Sequence, residues 1–288
     1  VPDTFRTIAI ATDLSERGDR AFDRAFRLAA AQGARLMIFS VVDDHLPEDM
    51  QETMAEGTRV RLEKAAAAQP GADTLDWSVT VLCGTPDTAL AQAIGAHGID
   101  LLVVGLHRHR PFMDLLRETT MERLVKLADC PVLIVRTASP APYGTVLAAL
   151  DFAPASGRAL RLAHRLAPEA ALHGVHAVHI PYQTMVAAPG IAGEIPPIVS
   201  AEPFLAEART SRDAFLDSHA DLPGLSVEIG EGSIHAVLRG AMDRLHPDLI
   251  ALGAHGRALP VPWLLGSFAN DMMRDPPTDL LIAPPSRG

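Results

Sequence analysis

The chain is written twice, and that duplication constrains its fold more than any single motif. DLLVVGLHRH, beginning at Asp100, aligns without a gap with DLIALGAHGR, beginning at Asp248; the offset of 148 positions also pairs Gly84 with Gly232 and Thr119 with Ser267. Earlier, ATDLSERGDRAFDRAFRLA aligns with ALDFAPASGRALRLAHRLA, pairing Asp13 with Asp151 at an offset of 138. The difference leaves ten extra residues in the second copy, expected in the proline- and glycine-bearing stretch 181–197. The Pro- and Ala-rich TASPAPYG reads as the joint between two domains, 1–139 and 140–288.

Each copy alternates strand and helix patterns. In the first, RTIAIAT, ARLMIFSVV, WSVTVLC, 100–104 and PVLIV read as strands, with helices over 15–31, 48–68, 86–96 and 119–128. Thr119 and Glu122 stand at capping-box spacing, and Pro86 suits a first helical turn. The second copy repeats the plan through TVLAALD, ALHGVHAVHI, LSVEIG, DLIAL and DLLIA, with helices ending at Leu166, over 202–218, from Ile234 and after Ser267. Five strands alternating with four helices in each copy imply an α/β fold of two tandem, doubly wound, five-stranded parallel sheets.

The stretch from Asp248 to Ser267, DLIALGAHGRALPVPWLLGS, is where chemistry is expected. A short apolar run reads as a buried strand and ends at Gly253; Gly256 and Gly266 follow, with two residues inside the first glycine pair and nine inside the second, and Ser267 opens a helical pattern. Glycines admit close backbone approach, and a helix start offers unpaired N–H groups at the positive end of its dipole, so the stretch suits a phosphate. Strand-to-helix loops also use glycine for purely steric reasons. The spacing is neither a Walker loop nor the G-x-G-x-x-G fingerprint.

G-x2-G-x9-G-[ST] after a buried strand resembles the ATP-binding motif of the universal stress protein family, and the duplication resembles that family's tandem form over nearly the whole chain. The resemblance implies adenine nucleotide alpha hydrolase-like units with strand order 3-2-1-4-5, two of them packed about a pseudo-twofold axis as an internal pseudo-dimer, with a further homodimer left open. It implies ATP in the second lobe, held by Gly253, Gly256, Gly266 and Ser267, with Asp151 at the nucleoside end and backbone around Ala177 and Val178 lining the adenine slot. Arg257, inside the glycine loop, reads either as a partner for phosphate oxygens or as a surface side chain in water, and Mg2+ is expected beside the phosphates to neutralise their charge. Asp151 has a second reading, as a cap for the helix that follows it, and the two roles are compatible. In the first copy Arg108 and Glu118 replace two of the glycines, and a carboxylate at the helix start repels a second anion, so that lobe is expected to be silent.

The function implied is a stress-response or signalling nucleotide-binding protein with weak or no hydrolysis, since no catalytic base for water stands out. The alternative is a non-nucleotide ligand-binding or interaction module in which 181–197 makes the contact. A net charge of −10 argues against a nucleic-acid partner. No apolar run approaches the ~18 residues of a membrane span, and VPDTFRT lacks a secretory pattern, so a cytoplasmic location is expected. Cys83 and Cys130 read as buried small apolar residues. His173, His176 and His179 recur every third residue, but strand alternation turns His176 away from the other two, which disfavours a metal site.

Overall fold

The computed structural model describes residues 4–13, 15–106, 120–180, 200–254 and 266–284. The first half runs β1 (Thr7–Ala11), α1 (Glu16–Gln32), β2 (Arg35–Val42), α2 (Glu48–Ala67), β3 (Trp77–Cys83), α3 (Pro86–His97), β4 (Leu101–Gly105), α4 (Thr120–Leu127) and β5 (Val132–Val135). The second repeats it as β6 (Thr145–Ala149), α5 (Pro154–Leu166), β7 (Ala171–Val178), α6 (Glu202–Asp217), β8 (Ser226–Glu231), α7 (Ile234–Leu245), β9 (Leu249–Gly253), α8 (Ser267–Arg274) and β10 (Asp279–Ala283). Thr119, half of the expected capping box, lies outside the described residues, as does the 181–197 stretch.

Local chemistry sets these boundaries. Along α1, Phe22, Ala25, Phe26 and Ala29 recur at helical spacing and are all buried. Ser15 caps its start by accepting from Gly18 N at 3.3 Å, and Gly33 ends it in the left-handed region at φ 62°. The strands alternate instead: Ile8 and Ile10 face one apolar layer while Ala9 faces the other. One layer takes α1, α2, α5 and α6 and the other α3, α4, α7 and α8, and both layers run through both lobes.

Within each half the strands follow the order 3-2-1-4-5 and pair in parallel. The halves then join edge to edge. β5 pairs antiparallel with β10, placing Leu133 opposite Leu281, so the two sheets form one of ten strands, β3-β2-β1-β4-β5-β10-β9-β6-β7-β8. An antiparallel seam between equivalent strands is what a pseudo-twofold axis requires.

A buried polar cluster sits beside this seam. Asp279 is fully buried; its Oδ1 accepts from Arg136 N, Thr137 N and Thr137 Oγ1, each at 2.9 Å, and Arg24 Nε of the first lobe lies 3.7 Å from Oδ2. Arg24 also donates to Ala141 O at 2.8 Å, tying α1 to the connector.

The cysteines correct one expectation. Cys130 is buried, and desolvation pushes its thiol up to about 12, but Cys83 is exposed. It ends β3, an edge strand with a neighbour on one side only, so among the described residues little covers the last residue of the strand.

Candidate functional site

In an open parallel sheet the carboxyl ends of the strands face a crevice where the strand order reverses. In the second lobe β6, β7 and β9 end around a cavity of about 340 Å³. Leu150 and Asp151 line it after β6, His176 and Ala177 at the end of β7, and Gly253 and Ala254 at the end of β9. Three helices begin at the same place: Ser156 in the first turn of α5, Ile234 at the first position of α7, and Ser267 and Phe268 in α8 all line the wall. Each helix start carries a partial positive charge of about half an electron, so their convergence favours an anionic ligand.

The two described glycines of the motif do different work. At Gly253 a Cβ would meet the carbonyl carbon of Ala155 at 2.8 Å, so glycine there lets β9 pack against α5. Among the described residues a Cβ at Gly266 would meet nothing within 4 Å, and the backbone at φ −62°, ψ 146° suits any residue. No packing contact among the described residues requires glycine at 266. A ligand passing close to that backbone would. Gly266 is the N-cap of α8 and supplies no side-chain cap to its first turn.

Asp151 has a structural task as well as a place in the cavity. Its Oδ1 accepts from Ala153 N at 3.0 Å, as Asp13 Oδ1 accepts from Ser15 N at 3.0 Å in the first lobe. Both aspartates therefore fix the strand-to-helix turn. Ser15 also caps its helix, whereas Ala153 cannot, and α5 begins without a side-chain cap. Between Asp151 and Ala153, Phe152 sits in the left-handed region at φ 62°, an uncommon conformation for a bulky residue. Its ring lies 4.4 Å from that of His176. His176 Nδ1 is 2.7 Å from Leu150 O; a carbonyl only accepts, so Nδ1 is the donor and carries the proton.

Of the residues named from sequence, Asp151, Ala177, Gly253, Gly266 and Ser267 share this cavity. Val178 lines a neighbouring cavity of about 180 Å³ with Phe204 and Glu207 of α6, and His176 and Ala177 border both cavities. Gly256 and Arg257 lie outside the described residues, as do Arg108 and Glu118 of the first lobe. Ser233 caps α7, accepting from Ala236 N at 3.2 Å. The sequence pattern did not single out Ser156, Ile234 or Phe268; the signal available was their position in first helical turns that follow strands of the sheet. His173 Nδ1 engages Ser226 Oγ at 2.8 Å, on the other side of the strand from His176.

Comparison with known proteins gives the family. The profile of the Universal stress protein family matches the chain twice, over residues 4–136 and 142–284. A protein of Thermus aquaticus, described as a universal stress protein in QAH/OAS sulfhydrylase 3'region, is 33% identical over 139 residues, covering 46% of this chain and 99% of that protein. Two solved structures share the fold across both lobes. A universal stress protein from Archaeoglobus fulgidus superposes with a TM-score of 0.70 at 18% identity, covering 98% of each chain. A putative universal stress protein from Pseudomonas aeruginosa gives 0.62 at 19% identity, covering 98% of this chain and 94% of that one. Among the described residues no helix is long and apolar enough to cross a membrane.

Proposed function

The chain belongs to the universal stress protein family, as two of its domains in tandem, and from that premise we propose that the second lobe binds one adenine nucleotide, ATP, in a stress-response or signalling role. The observation that carries this reading is the wall of one cavity: Asp151, Ala177, Gly253, Gly266 and Ser267 meet there although they are scattered over more than a hundred positions of the sequence. Its volume falls within the range of small-molecule sites.

The residues present fit such a ligand. The uncapped start of α8 and the open space beside Gly266 suit phosphate oxygens, with the Ser267 hydroxyl as a further donor. Leu252, Ile234 and Phe268 supply apolar walls, and Asp151 and the backbone at Ala177 take the nucleoside end. Magnesium would accompany the phosphates and offset their charge. Activity as an ATPase is expected to be weak or absent: Asp151 is the cavity's carboxylate among the described residues, and one of its oxygens holds the turn. The same apolar walls favour a second reading, a small apolar ligand without phosphate.

Titration with ATP and magnesium tests the choice, using the wild-type chain and Gly266→Glu, which copies the first lobe's residue into the second. Binding by the wild type and loss in the variant, with an unchanged melting curve, supports the nucleotide. An unresponsive wild type overturns it in favour of the apolar ligand.

A further inference from the structure

Among the differences between the lobes is one contact beside the crevice in which the acidic and basic partners change places. The offset of 148 that aligns the motifs also aligns Asp87 of α3 with His235 of α7, and Arg123 of α4 with Asp271 of α8. Both pairs are in contact. Arg123 Nε donates to Asp87 Oδ2 at 2.6 Å, and the Asp87 side chain is only 7% exposed. His235 Nε2 lies 3.4 Å from Asp271 Oδ2, with the two side chains 53% and 59% exposed.

Helix packing follows the pairs. α3 packs directly on α4, whereas α7 and α8 scarcely touch and the cavity opens between their first turns. Ile234 and Phe268, which line that opening, flank the second pair: Ile234 precedes His235, and the His235 ring stands edge-on to Phe268 at 5.0 Å. A short charge-assisted bond to a buried carboxylate is strong and permanent, because arginine keeps its charge. An exposed contact between carboxylate and imidazole, charged only when protonated, is weak and opens readily.

The geometry points to His235 and Asp271 as the gate of the second-lobe crevice, and to Arg123 and Asp87 as the same gate locked shut in the first. His235 and Asp271 are positioning residues: they set the separation of α7 and α8, and hence how fast a ligand enters and leaves. This rests on the nucleotide reading for the identity of the ligand, but the gate itself does not depend on it.

The experiment exchanges the pairs in a Cys83→Ser background. Ala269 lines the cavity, so Ala269→Cys reports access through its rate of modification by a small thiol reagent, while Cys130 stays silent because it is buried with its thiol pushed up to about 12. The double change His235→Asp with Asp271→Arg is expected to slow that modification about tenfold or more. The reciprocal change Asp87→His with Arg123→Asp, read by Met121→Cys at the position aligned with Ala269, is expected to speed it by a similar factor. Unchanged rates in whichever exchange folds overturn the gate. ATP titration separates the two ideas: a wild type that binds no ATP removes the nucleotide and leaves the thiol rates to decide the gate, whereas a wild type that binds ATP while the thiol rates stay unchanged by the exchange overturns the gate alone.

Discussion

Tyr143 donates its hydroxyl to Asp279 Oδ2 at 2.7 Å, joining the connector between the lobes to the first residue of the strand that forms their seam. The Arg24 guanidinium lies 4.5 Å above the same phenol ring. One buried carboxylate thus gathers α1, the connector and β10, and it fixes how the halves meet. Removing it by Asp279→Ala leaves Arg24 buried without its counter-charge, which costs about 3–5 kcal/mol. Urea unfolding should register a loss of that size; a loss below about 1 kcal/mol would show that the cluster does not hold the lobes together.

The same contact gives stability a pH dependence. Burial, and then the Asp279 anion, raise the Tyr143 hydroxyl well above its ordinary value near 10. A raised folded value means that the unfolded chain loses this proton first. The contribution is complete below about pH 10 and declines as the pH rises through the folded value. Tyr143→Phe should therefore be less stable than the wild type near neutrality and should show a shallower fall in alkali. Parallel alkaline slopes for the two proteins would assign the fall to other groups.

The glycines separate packing from binding. Gly253→Ala forces a Cβ against the Ala155 backbone and is expected to lower stability by about 1–3 kcal/mol. Gly266→Ala meets nothing among the described residues and should change stability by no more than about 0.5 kcal/mol, while weakening ATP binding. Thermal melts and titrations on both variants give four numbers. The account fails if the Gly266 variant binds as the wild type does.

Asp151→Asn keeps an oxygen for the Ala153 N–H but removes the charge. A hydrogen bond to a charged group contributes about 1.5–3 kcal/mol, so ATP affinity should fall roughly tenfold to a hundredfold with the melting curve unmoved. Undiminished affinity would remove Asp151 from the nucleotide site.

Much of this was legible in sequence because it is local or repeated. Period-two and helical patterns mark the strands and helices, and a duplicated pattern places Asp151 and Gly253 at strand ends and Gly266 at a helix start on one edge. What was not legible depends on contacts between distant segments. The pairing of β5 with β10 and the burial of Asp279 leave no periodic signature, because each arises only when the lobes meet. Ala177 and Val178, neighbours in sequence, share the smaller cavity, and Ala177 alone of the two also borders the larger one. Gly253 shows that a residue can match a binding motif and still be required by packing.

The most direct measurement is the number of adenine nucleotides held per chain at saturating ATP and magnesium, by equilibrium dialysis. One nucleotide per chain, falling to none in Gly266→Glu, is the expected result. Two per chain would contradict the silent first lobe, and none, or one that survives Gly266→Glu, would contradict the site itself.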